Sequence, residues 1–243
     1  PDAVTWSNKV EDDLARRDFT CNAIAYNPVT GEVVDPFHGQ DDIQNKIIRA
    51  VGNPDIRFNE DALRLMRAIR FMSQLDFDIT SVTRESIEKN AHLLNNISRE
   101  RVRDEFVKLL MTDFPMRGLI MMKETGILQY SIPELERGIG VSQNQAHSFD
   151  VWEHNLRTLQ HSADKKWPLH VRLSAVFHDI SKPESRRYSK EKNDYTFYGH
   201  DVVGGRVTRE IMERLKFPKD MIEKVSMFVR WHMFFSDTEQ ITI

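Results

Sequence analysis

The stretch NEDALRLMRAIRF, residues 59–71, carries the pattern that decides the fold. Each residue of a helix turns the chain by about 100°, so the apolar side chains of this stretch share one arc. They are Ala62, Leu65, Met66 and Ile69, and Met72, just after the stretch, continues the same arc. Asn59 is a favourable N-cap, and the acidic residues after it suit the positive end of the helix dipole. We therefore predict an amphipathic helix over residues 59–75 with one buried face.

The opposite side of this predicted helix carries Asp61, Arg64, Arg67 and Arg70. An ordinary amphipathic helix with an ion pair between Asp61 and Arg64 explains this pattern, and so does a site that reads nucleobases. Cytosine and adenine present an amino donor beside a ring-nitrogen acceptor, whereas uracil and guanine present a carbonyl beside a ring N–H. A carboxylate next to a guanidinium matches C and A, and further arginines suit phosphates. This helix alone leaves both interpretations open.

The composition is that of a globular protein from a reducing compartment. With 243 residues and 40% hydrophobic content, the chain can bury the core of one large or two small domains. Cys21 is the sole cysteine, so an intramolecular disulfide is excluded. No apolar run approaches the roughly 20 residues of a membrane span, and we expect no signal sequence. We predict a cytoplasmic protein with no membrane partner.

Most of the chain has the periodicity of helices. The predicted helical blocks lie near 41–47, 59–75, 80–94, 98–111, 115–125, 150–163, 168–181, 199–216 and 218–235. Residues 21–26 and 32–35 flank a run of turn residues and predict a β-hairpin. The predicted fold class is mainly α, with the main boundary in the segment 132–145.

Four motifs occur in a fixed order in the first half of the chain. They are Arg16-Arg-Asp-Phe-Thr-Cys-Asn-Ala23, Asp35-Pro-Phe-His-Gly39, the stretch from Phe58 to Phe71, and Ile97-Ser-Arg-Glu-Arg101 with Glu105. Together they resemble the class II tRNA nucleotidyltransferase and bacterial poly(A) polymerase family over residues 1–130.

This resemblance implies a nucleotide site. Six residues match the family's nucleotide-binding motifs: Arg17, Asp18, Asn22, Asp61, Arg64 and Arg67. By resemblance, the segment around Arg17 and Asp18 contacts the sugar and phosphates of the incoming nucleotide. Asp61 and Arg64 read the base of CTP or ATP, and Arg67 is a phosphate or structural partner.

The family's polymerising chemistry needs Mg²⁺ held by paired carboxylates. In the family these lie upstream, in a G-G-x-x-R-D and D-x-D arrangement, and neither pattern occurs in these 243 residues. We expect an upstream part of the protein to carry them, and we predict that this chain alone recognises nucleotides without adding them. Two milder departures are Cys21, where the family often has isoleucine, and His38, where it often has glycine.

Histidines dominate the chemistry of the last hundred residues. His178 and Asp179 are adjacent after an apolar run, and burying them is costly unless they are bonded or hold a metal. The motifs around His154, His178, His200 and His232 resemble the HD phosphohydrolase superfamily. The resemblance implies a divalent transition metal such as Ni, Mn or Zn. Its ligands would be His154, His178, Asp179, His200 and His232, while a role for Asp237 and a purely structural metal both stay open.

The two resemblances together imply three domains. Residues 1–50 are expected to be the C-terminal part of an α+β nucleotidyltransferase head, of which the β-hairpin is a remnant. Residues 51–135 are expected to form a helical neck that binds nucleotide and RNA, and residues 140–243 an all-helical HD domain like metal-dependent phosphohydrolases.

The leading functional hypothesis is a tRNA nucleotidyltransferase that adds C, A or both to the tRNA 3′ end, with CTP, ATP and tRNA as partners. The HD domain would hydrolyse phosphate ends of RNA. The alternatives are a metal-dependent HD phosphohydrolase whose first half binds RNA, and a poly(A) polymerase. A dimer is also considered. Candidate tRNA contacts are Arg101, Arg103 and Lys108 in the neck, and the cluster from Lys182 to Lys192 with Tyr188 and Tyr195.

Overall fold

The computed structural model describes residues 9–143 and 148–234, and this part of the chain is mainly α-helical. Its α-helices are α1 (Val10–Leu14), α2 (Gly39–Gln44), α3 (Pro54–Glu60), α4 (Leu63–Leu75), α5 (Ser81–Asn90), α6 (Arg99–Leu110), α7 (Pro115–Glu124), α8 (Ile127–Ser131), α9 (Val151–Asp164), α10 (Leu169–Phe177), α11 (Lys182–Ser185), α12 (His200–Arg214) and α13 (Lys219–Trp231). Short 3₁₀ helices lie at Thr20–Asn22, Ala91–Asn96 and Pro133–Gly138. Within these described segments, no helix is long and apolar enough to traverse a bilayer.

The strands are short and form three separate pairs in the described residues. They are β1 (Ala25–Tyr26) with β2 (Val33–Val34), antiparallel; β3 (Ile47–Ile48) with β4 (Asp78–Ile79), parallel; and β5 (Arg187–Ser189) with β6 (Asp194–Thr196), antiparallel. The first pair is the predicted hairpin, in a shorter form. The third interrupts the stretch that was expected to be all-helical, because Tyr188 and Tyr195 pair across it and aromatic residues favour strands.

The stretch 59–71 contains the junction of two helices, so the prediction of one helix beginning at Asn59 is wrong. Asn53 accepts hydrogen bonds from the N–H groups of Asp55 and Ile56, at 2.9 and 3.3 Å, and caps α3. The chain then becomes extended at Asp61, where φ is −153°. The pair Asn53-Pro54 therefore starts a helix six residues earlier than Asn59.

The predicted buried face of α4 is confirmed, since Leu65, Ile69 and Met72 are fully buried. Arg70 was assigned to the polar side, yet it is buried as well. Its guanidinium pairs with the buried carboxylate of Glu105 on α6. Arg70 therefore joins two neck helices.

One hydrophobic core runs through both halves of the described chain, from Phe19 to Val229. Arg172 of α10 is buried and donates hydrogen bonds to the carbonyls of Leu110 and Thr112, both at 2.8 Å. Arg214 of α12 forms a bidentate pair with Glu134, at 2.5 and 2.8 Å. These contacts bind α10 and α12 directly to the neck, across the segment predicted as the main boundary.

Candidate nucleotide site and metal centre

The carboxylate of Asp18 is the most buried polar group among the predicted nucleotide-binding residues. Asn22 donates to its Oδ1 at 2.7 Å, and Arg67 donates from Nε to its Oδ2 at 2.5 Å. Burial alone would raise the pKa of Asp18, but the hydrogen bonds from Arg67 and Asn22 hold this pKa below its ordinary value. The structure thus brings these three predicted residues together around an ionised carboxylate.

Arg64 connects α4 to the segment that precedes Asp18. Its Nη2 donates to the carbonyl of Arg16 at 3.0 Å. Its Nη1 donates to the Arg57 carbonyl at 3.1 Å and to the Glu60 carboxylate at 2.8 Å. Two motifs that lie 48 residues apart in the sequence therefore meet at this side chain.

Asp61 and Arg64 do not form the ion pair that an ordinary amphipathic helix would have. Asp61 Oδ1 accepts from the N–H of Leu63, the first residue of α4, at 3.1 Å. Asp61 Oδ2 accepts from Arg101 Nη2 at 2.7 Å. Arg101 was predicted as a tRNA contact, and its pairing with Asp61 was not foreseen.

An open cleft of about 540 Å³ lies beside Asp61. Its lining residues come from the α3–α4 junction and from the start of the neck: Asn59, Glu60, Asp61, Ala62, Leu93, Asn96, Ile97 and Arg101. The cleft is of the size that small-molecule ligands occupy.

Arg17 stands apart from these contacts. Its guanidinium pairs with Asp13 at 2.9 Å, one helical turn earlier, and its side chain is 54% exposed. The structure therefore leaves Arg17 at the surface, next to the buried Asp18.

The Asp35-Pro-Phe-His-Gly39 motif packs against Thr20, two residues after Asp18. Asp35 caps α2 by accepting from the N–H groups of Gly39 and Gln40, at 2.7 and 2.9 Å. A Cβ atom at Gly39 would lie 2.1 Å from the carbonyl oxygen of Thr20, so only glycine fits there. His38 has a left-handed backbone with φ of 57°, a conformation that glycine adopts at least cost, and the family's frequent glycine fits this position.

The five residues predicted as metal ligands converge on one point. Asp179 Oδ2 lies 3.4 Å from His154 Nε2 and 3.3 Å from His178 Nε2. Asp179 Oδ1 lies 3.3 Å from His200 Nε2 and 3.6 Å from His232 Nε2. Side chains from α9, the end of α10, the start of α12 and the end of α13 thus surround one buried carboxylate. We call this set the His/Asp centre.

The backbone fixes how three of these imidazoles are oriented. His178, His200 and His232 donate from Nδ1 to the carbonyls three residues earlier, at 2.8, 2.7 and 2.7 Å. A carbonyl oxygen can only accept, so each Nδ1 carries a proton, and in the neutral imidazole Nε2 has a lone pair directed at the centre. This arrangement of the second ring nitrogen is the one found in metal-binding histidines.

The electrostatics of the His/Asp centre favour a bound cation. The Nε2 atoms of His154 and His178 face each other at 3.1 Å, and those of His200 and His232 at 3.2 Å. Burial would raise the pKa of Asp179, but its interaction with the protonated form of His178, together with hydrogen bonds from protonated imidazoles, holds this pKa well below its usual range. Burial would lower the pKa of His232, and its hydrogen bond to Asp179 raises it instead. Imidazole nitrogens with one carboxylate fit a divalent transition metal.

Two features of the centre differ from the sequence analysis: Lys182, predicted as part of a tRNA-contacting cluster, is buried, and a glycine pair of α12 had been assigned no role. Lys182 donates to Asp179 Oδ2 at 2.7 Å and to Gln143 at 2.6 Å. Lys182 lies three residues after Asp179 in the same motif, and this spacing could have predicted the contact between them. Gly204 and Gly205 let α13 approach α12 closely, because a Cβ at Gly205 would lie 3.1 Å from the Ser226 carbonyl. Asp237 lies outside the described residues.

Three family models match the chain. The poly A polymerase head domain matches residues 1–49, the probable RNA and SrmB-binding site of polymerase A matches residues 76–139, and the HD domain matches residues 147–243.

Named relatives align with most of the chain. The A-adding tRNA nucleotidyltransferase of Deinococcus radiodurans is 34% identical over 239 residues, which are 96% of this chain and 54% of that protein. The CC-adding tRNA nucleotidyltransferase of Thermus thermophilus is 32% identical over 243 residues, with the same two shares. The crystal structure of the Bacillus stearothermophilus CCA-adding enzyme with CTP is similar at a TM-score of 0.54 and 30% identity, over 94% of this chain and 60% of that one. The chain spans about half the length of the curated relatives it matches.

Proposed function

The chain belongs to the tRNA nucleotidyltransferase and poly(A) polymerase family with a C-terminal HD domain, and from this premise we propose that it selects the nucleotide for tRNA 3′-end addition. Its substrates would be CTP and ATP, and its macromolecular partner tRNA. The observation that carries the proposal is the contact between Arg64 and Arg16, which joins the base-reading motif to the sugar and phosphate motif. A reader of a whole nucleotide needs both motifs in one place.

Asp61 and Arg64 would read the base edge. Asp61 accepts a hydrogen bond from the exocyclic amino group of cytosine or adenine, and Arg64 donates to the ring nitrogen beside it. A guanidinium has five N–H donors, and the contacts with Arg16, Arg57 and Glu60 use three of them. The N–H of Nε and one N–H of Nη2 remain for a nucleotide. Uracil and guanine present the opposite pattern and leave both protein groups unpaired.

The remaining four residues would hold the sugar and phosphates. The buried Asp18 orients Arg67 and Asn22 through its two carboxylate oxygens. The exposed Arg17 would bind phosphate by exchanging Asp13 for it, because an exposed ion pair of this kind is weak. No cluster of carboxylates suited to Mg²⁺ is found near these residues in the described part of the chain. We therefore propose that the Mg²⁺ ligands of the transfer reaction lie outside this chain.

The product is a separate question from base selection. The similar proteins named above add A, CC or CCA, and the two tRNA nucleotidyltransferases among them are 34% and 32% identical to this chain. The proposed pair accepts both C and A, so it is compatible with each of these products and with a poly(A) tail.

Mutual displacement tests this proposal. If Asp61 and Arg64 form one site for both bases, CTP should displace a fluorescent ATP analogue completely, and UTP and GTP should displace it only at much higher concentrations. Independent binding of CTP and the ATP analogue would contradict a shared site.

A second function is favoured by the His/Asp centre: metal-dependent hydrolysis of phosphate ends on RNA, either a terminal phosphate or a 2′,3′-cyclic phosphate. His154, His178, Asp179, His200 and His232 would hold a divalent ion such as Ni²⁺, Mn²⁺ or Zn²⁺. Such an ion supplies a Lewis acid for the phosphoryl oxygen and lowers the pKa of a bound water. The backbone carbonyls keep the imidazoles in the ligating tautomer, and Lys182 neutralises the charge of Asp179.

This second function is tested by phosphatase and cyclic phosphodiesterase assays with added Ni²⁺, Mn²⁺ or Mg²⁺. The activity should disappear in His178→Ala. Activity that survives this substitution would assign the reaction to another site, and metal binding without activity would leave the ion a structural role. The described residues of one chain supply both candidate sites, so neither proposal requires a dimer.

A further inference from the structure

The strands β5 and β6 carry an unusual set of side chains next to the His/Asp centre. We call residues 186–199 the basic hairpin. It holds three tyrosines, of which Tyr188 is 55% exposed and Tyr198 is 76% exposed. Tyrosine is enriched at surfaces that partners cover, and these rings form a local cluster and are not scattered singly.

Cations alternate with these rings. The hairpin contains Arg186, Arg187, Lys190 and Lys192 against Glu191 and Asp194, in a chain whose formal net charge is −3. Arg186 lies 3.5 Å from the centroid of the Tyr195 ring and is anchored to the carbonyl of Ser142. Lys192 donates to the Tyr198 hydroxyl at 2.9 Å. Lys190, at the tip, makes no hydrogen bond or ion pair within the described residues.

The hairpin is joined to the His/Asp centre at both of its ends. Before it, Lys182 contacts Asp179. Near its C-terminal end, the carbonyl of Phe197 accepts from the Nδ1 of His200 at 2.7 Å, and the Phe197 ring lies 5.5 Å from the Lys182 ammonium. The exposed Tyr198 therefore lies between Phe197, whose carbonyl orients His200, and His200 itself.

A second exposed aromatic edge flanks the centre on the side of α13. Trp231 is 55% exposed and Phe234 is 56% exposed, with their rings 6.4 Å apart in an edge-to-face arrangement. Tyr198 lies two residues before His200 and Trp231 directly precedes His232, so both exposed aromatic residues are close in sequence to imidazoles whose Nε2 atoms lie 3.2 Å apart.

Alternating rings and cations match the alternation of bases and phosphates in a single strand. Bases stack on aromatic side chains, and lysine and arginine follow the backbone. A duplex keeps its bases stacked inside and offers no faces to the rings. An apolar protein partner would gain little from rings that are separated by charges.

We propose that the basic hairpin and Trp231 bind the single-stranded end of an RNA and hold its terminal phosphate at the His/Asp centre. The role given to the His/Asp centre in this inference rests on the proposed hydrolase function. The RNA binding rests on the residues of the basic hairpin. The later cations of the predicted cluster, from Arg186 to Lys192, are thereby assigned to the substrate of the metal centre, whereas the buried Lys182 contacts Asp179 in the centre itself.

Binding of a fluorescently labelled, single-stranded oligoribonucleotide with a 3′-phosphate tests the inference. Anisotropy is measured on the whole chain with ATP and CTP in excess, so that the nucleotide site contributes equally throughout. Tyr198→Ala should weaken binding by about tenfold, the usual effect of losing one stacked base. Tyr198→Phe keeps the ring and should bind nearly as the wild type does.

The matched control is Tyr26→Ala, which removes a tyrosine of similar exposure, 65%, from the first hairpin. It should leave binding unchanged. Lys190→Gln should lower the slope of log affinity against log salt by about 0.7, the value for one phosphate contact on a single strand. Metal content and thermal unfolding of each variant show that the His/Asp centre is intact.

Equal affinity of the wild type and Tyr198→Ala would overturn the inference, as would equal affinity for a duplex of the same length. These experiments can fail for the binding inference and for the hydrolase proposal independently. If no hydrolysis is found with any metal but binding depends on Tyr198, the binding surface stands and the hydrolase function fails. If hydrolysis requires His178 but binding ignores Tyr198, only the present inference fails.

Discussion

Asp61 Oδ2 accepts a hydrogen bond from Arg101 Nη2 at 2.7 Å, across 40 residues of sequence. The carboxylate proposed to read the base is thus oriented from the neck helix α6, while its other oxygen accepts from the N–H of Leu63 at the start of α4. A carboxylate oxygen has two lone pairs, so Oδ2 can accept from Arg101 and from a base amino group together. Arg101 is therefore a positioning residue for base selection.

Arg101→Ala should weaken CTP and ATP binding several-fold, because a half-exposed ion pair contributes at most about 1 kcal/mol. The preference for CTP and ATP over UTP and GTP should survive, since Asp61 and Arg64 remain. Isothermal titration calorimetry measures both quantities. Arg84→Ala removes an arginine of comparable exposure that pairs with Glu88 and Glu124, and serves as the control. A loss of base preference in Arg101→Ala would show that Arg101 reads the base itself.

Arg70→Ala should destabilise the protein by about 3–5 kcal/mol, because it leaves the buried Oε1 of Glu105 unpaired, with only the long contact of Lys108 to Oε2, at 3.5 Å, remaining. Chemical unfolding measures this free energy. The double variant Arg70→Met with Glu105→Leu should recover most of the loss. Arg117→Ala breaks only exposed pairs with Asp76 and Asp78 and should cost less than about 1 kcal/mol. A small effect of Arg70→Ala would argue against the buried pair between α4 and α6.

These two arginines show what sequence analysis can and cannot predict. The hydrophobic spacing predicted the buried face of α4, because a helical period can be read locally, and the motif with His178 and Asp179 predicted two adjacent side chains that the structure places in one cluster. The partners of Arg70 and Asp61 lie 35 and 40 residues away, and no local pattern specifies them. The same holds for Arg172, whose acceptors at Leu110 and Thr112 lie 62 and 60 residues earlier.

The junction at Asp61 was missed for a different reason. Asn59 satisfies the local rules for an N-cap, but Asn53 followed by Pro54 satisfies them earlier and starts the helix first. The close packing of α12 on α13 at Gly205 was also encoded locally, yet a glycine pair within a helix does not reveal which helix it faces.

The Asp18 carboxylate should make stability depend on pH in acid. Its pKa is depressed below the ordinary value of 3.8 by Arg67 and Asn22, so its stabilisation is complete above 3.8 and is lost as the pH falls through the lower, folded-state pKa. The unfolding free energy of the wild type should therefore exceed that of Asp18→Asn by a constant amount above about pH 5 and by a shrinking amount below it. The exposed Asp13→Asn should stay within about 0.5 kcal/mol of the wild type. A difference for Asp18→Asn that is independent of pH would contradict the ionised, buried carboxylate.

Metal binding should raise the melting temperature of the wild type. At Ni²⁺ or Mn²⁺ concentrations well above the dissociation constant, the increase should be about 5 °C or more, and a chelator should reverse it. His200→Ala should abolish the increase because it removes a proposed ligand. His200 and His232 both approach Oδ1 of Asp179, and the substitution leaves only His232 there. His170→Ala should retain the increase, since His170 packs against Phe228 outside the centre. An equal increase in His200→Ala would place the metal elsewhere.

Base selection by Asp61 and Arg64 is tested most directly by calorimetric titration of the chain with CTP, ATP, UTP and GTP, repeated for Asp61→Ala. CTP and ATP should bind at least about tenfold more tightly than UTP and GTP, the discrimination expected from one well-placed pair of hydrogen bonds. In Asp61→Ala, CTP and ATP should lose affinity and the four nucleotides should become alike. Equal binding of all four nucleotides to the wild type, or an unchanged preference in Asp61→Ala, would contradict the assignment.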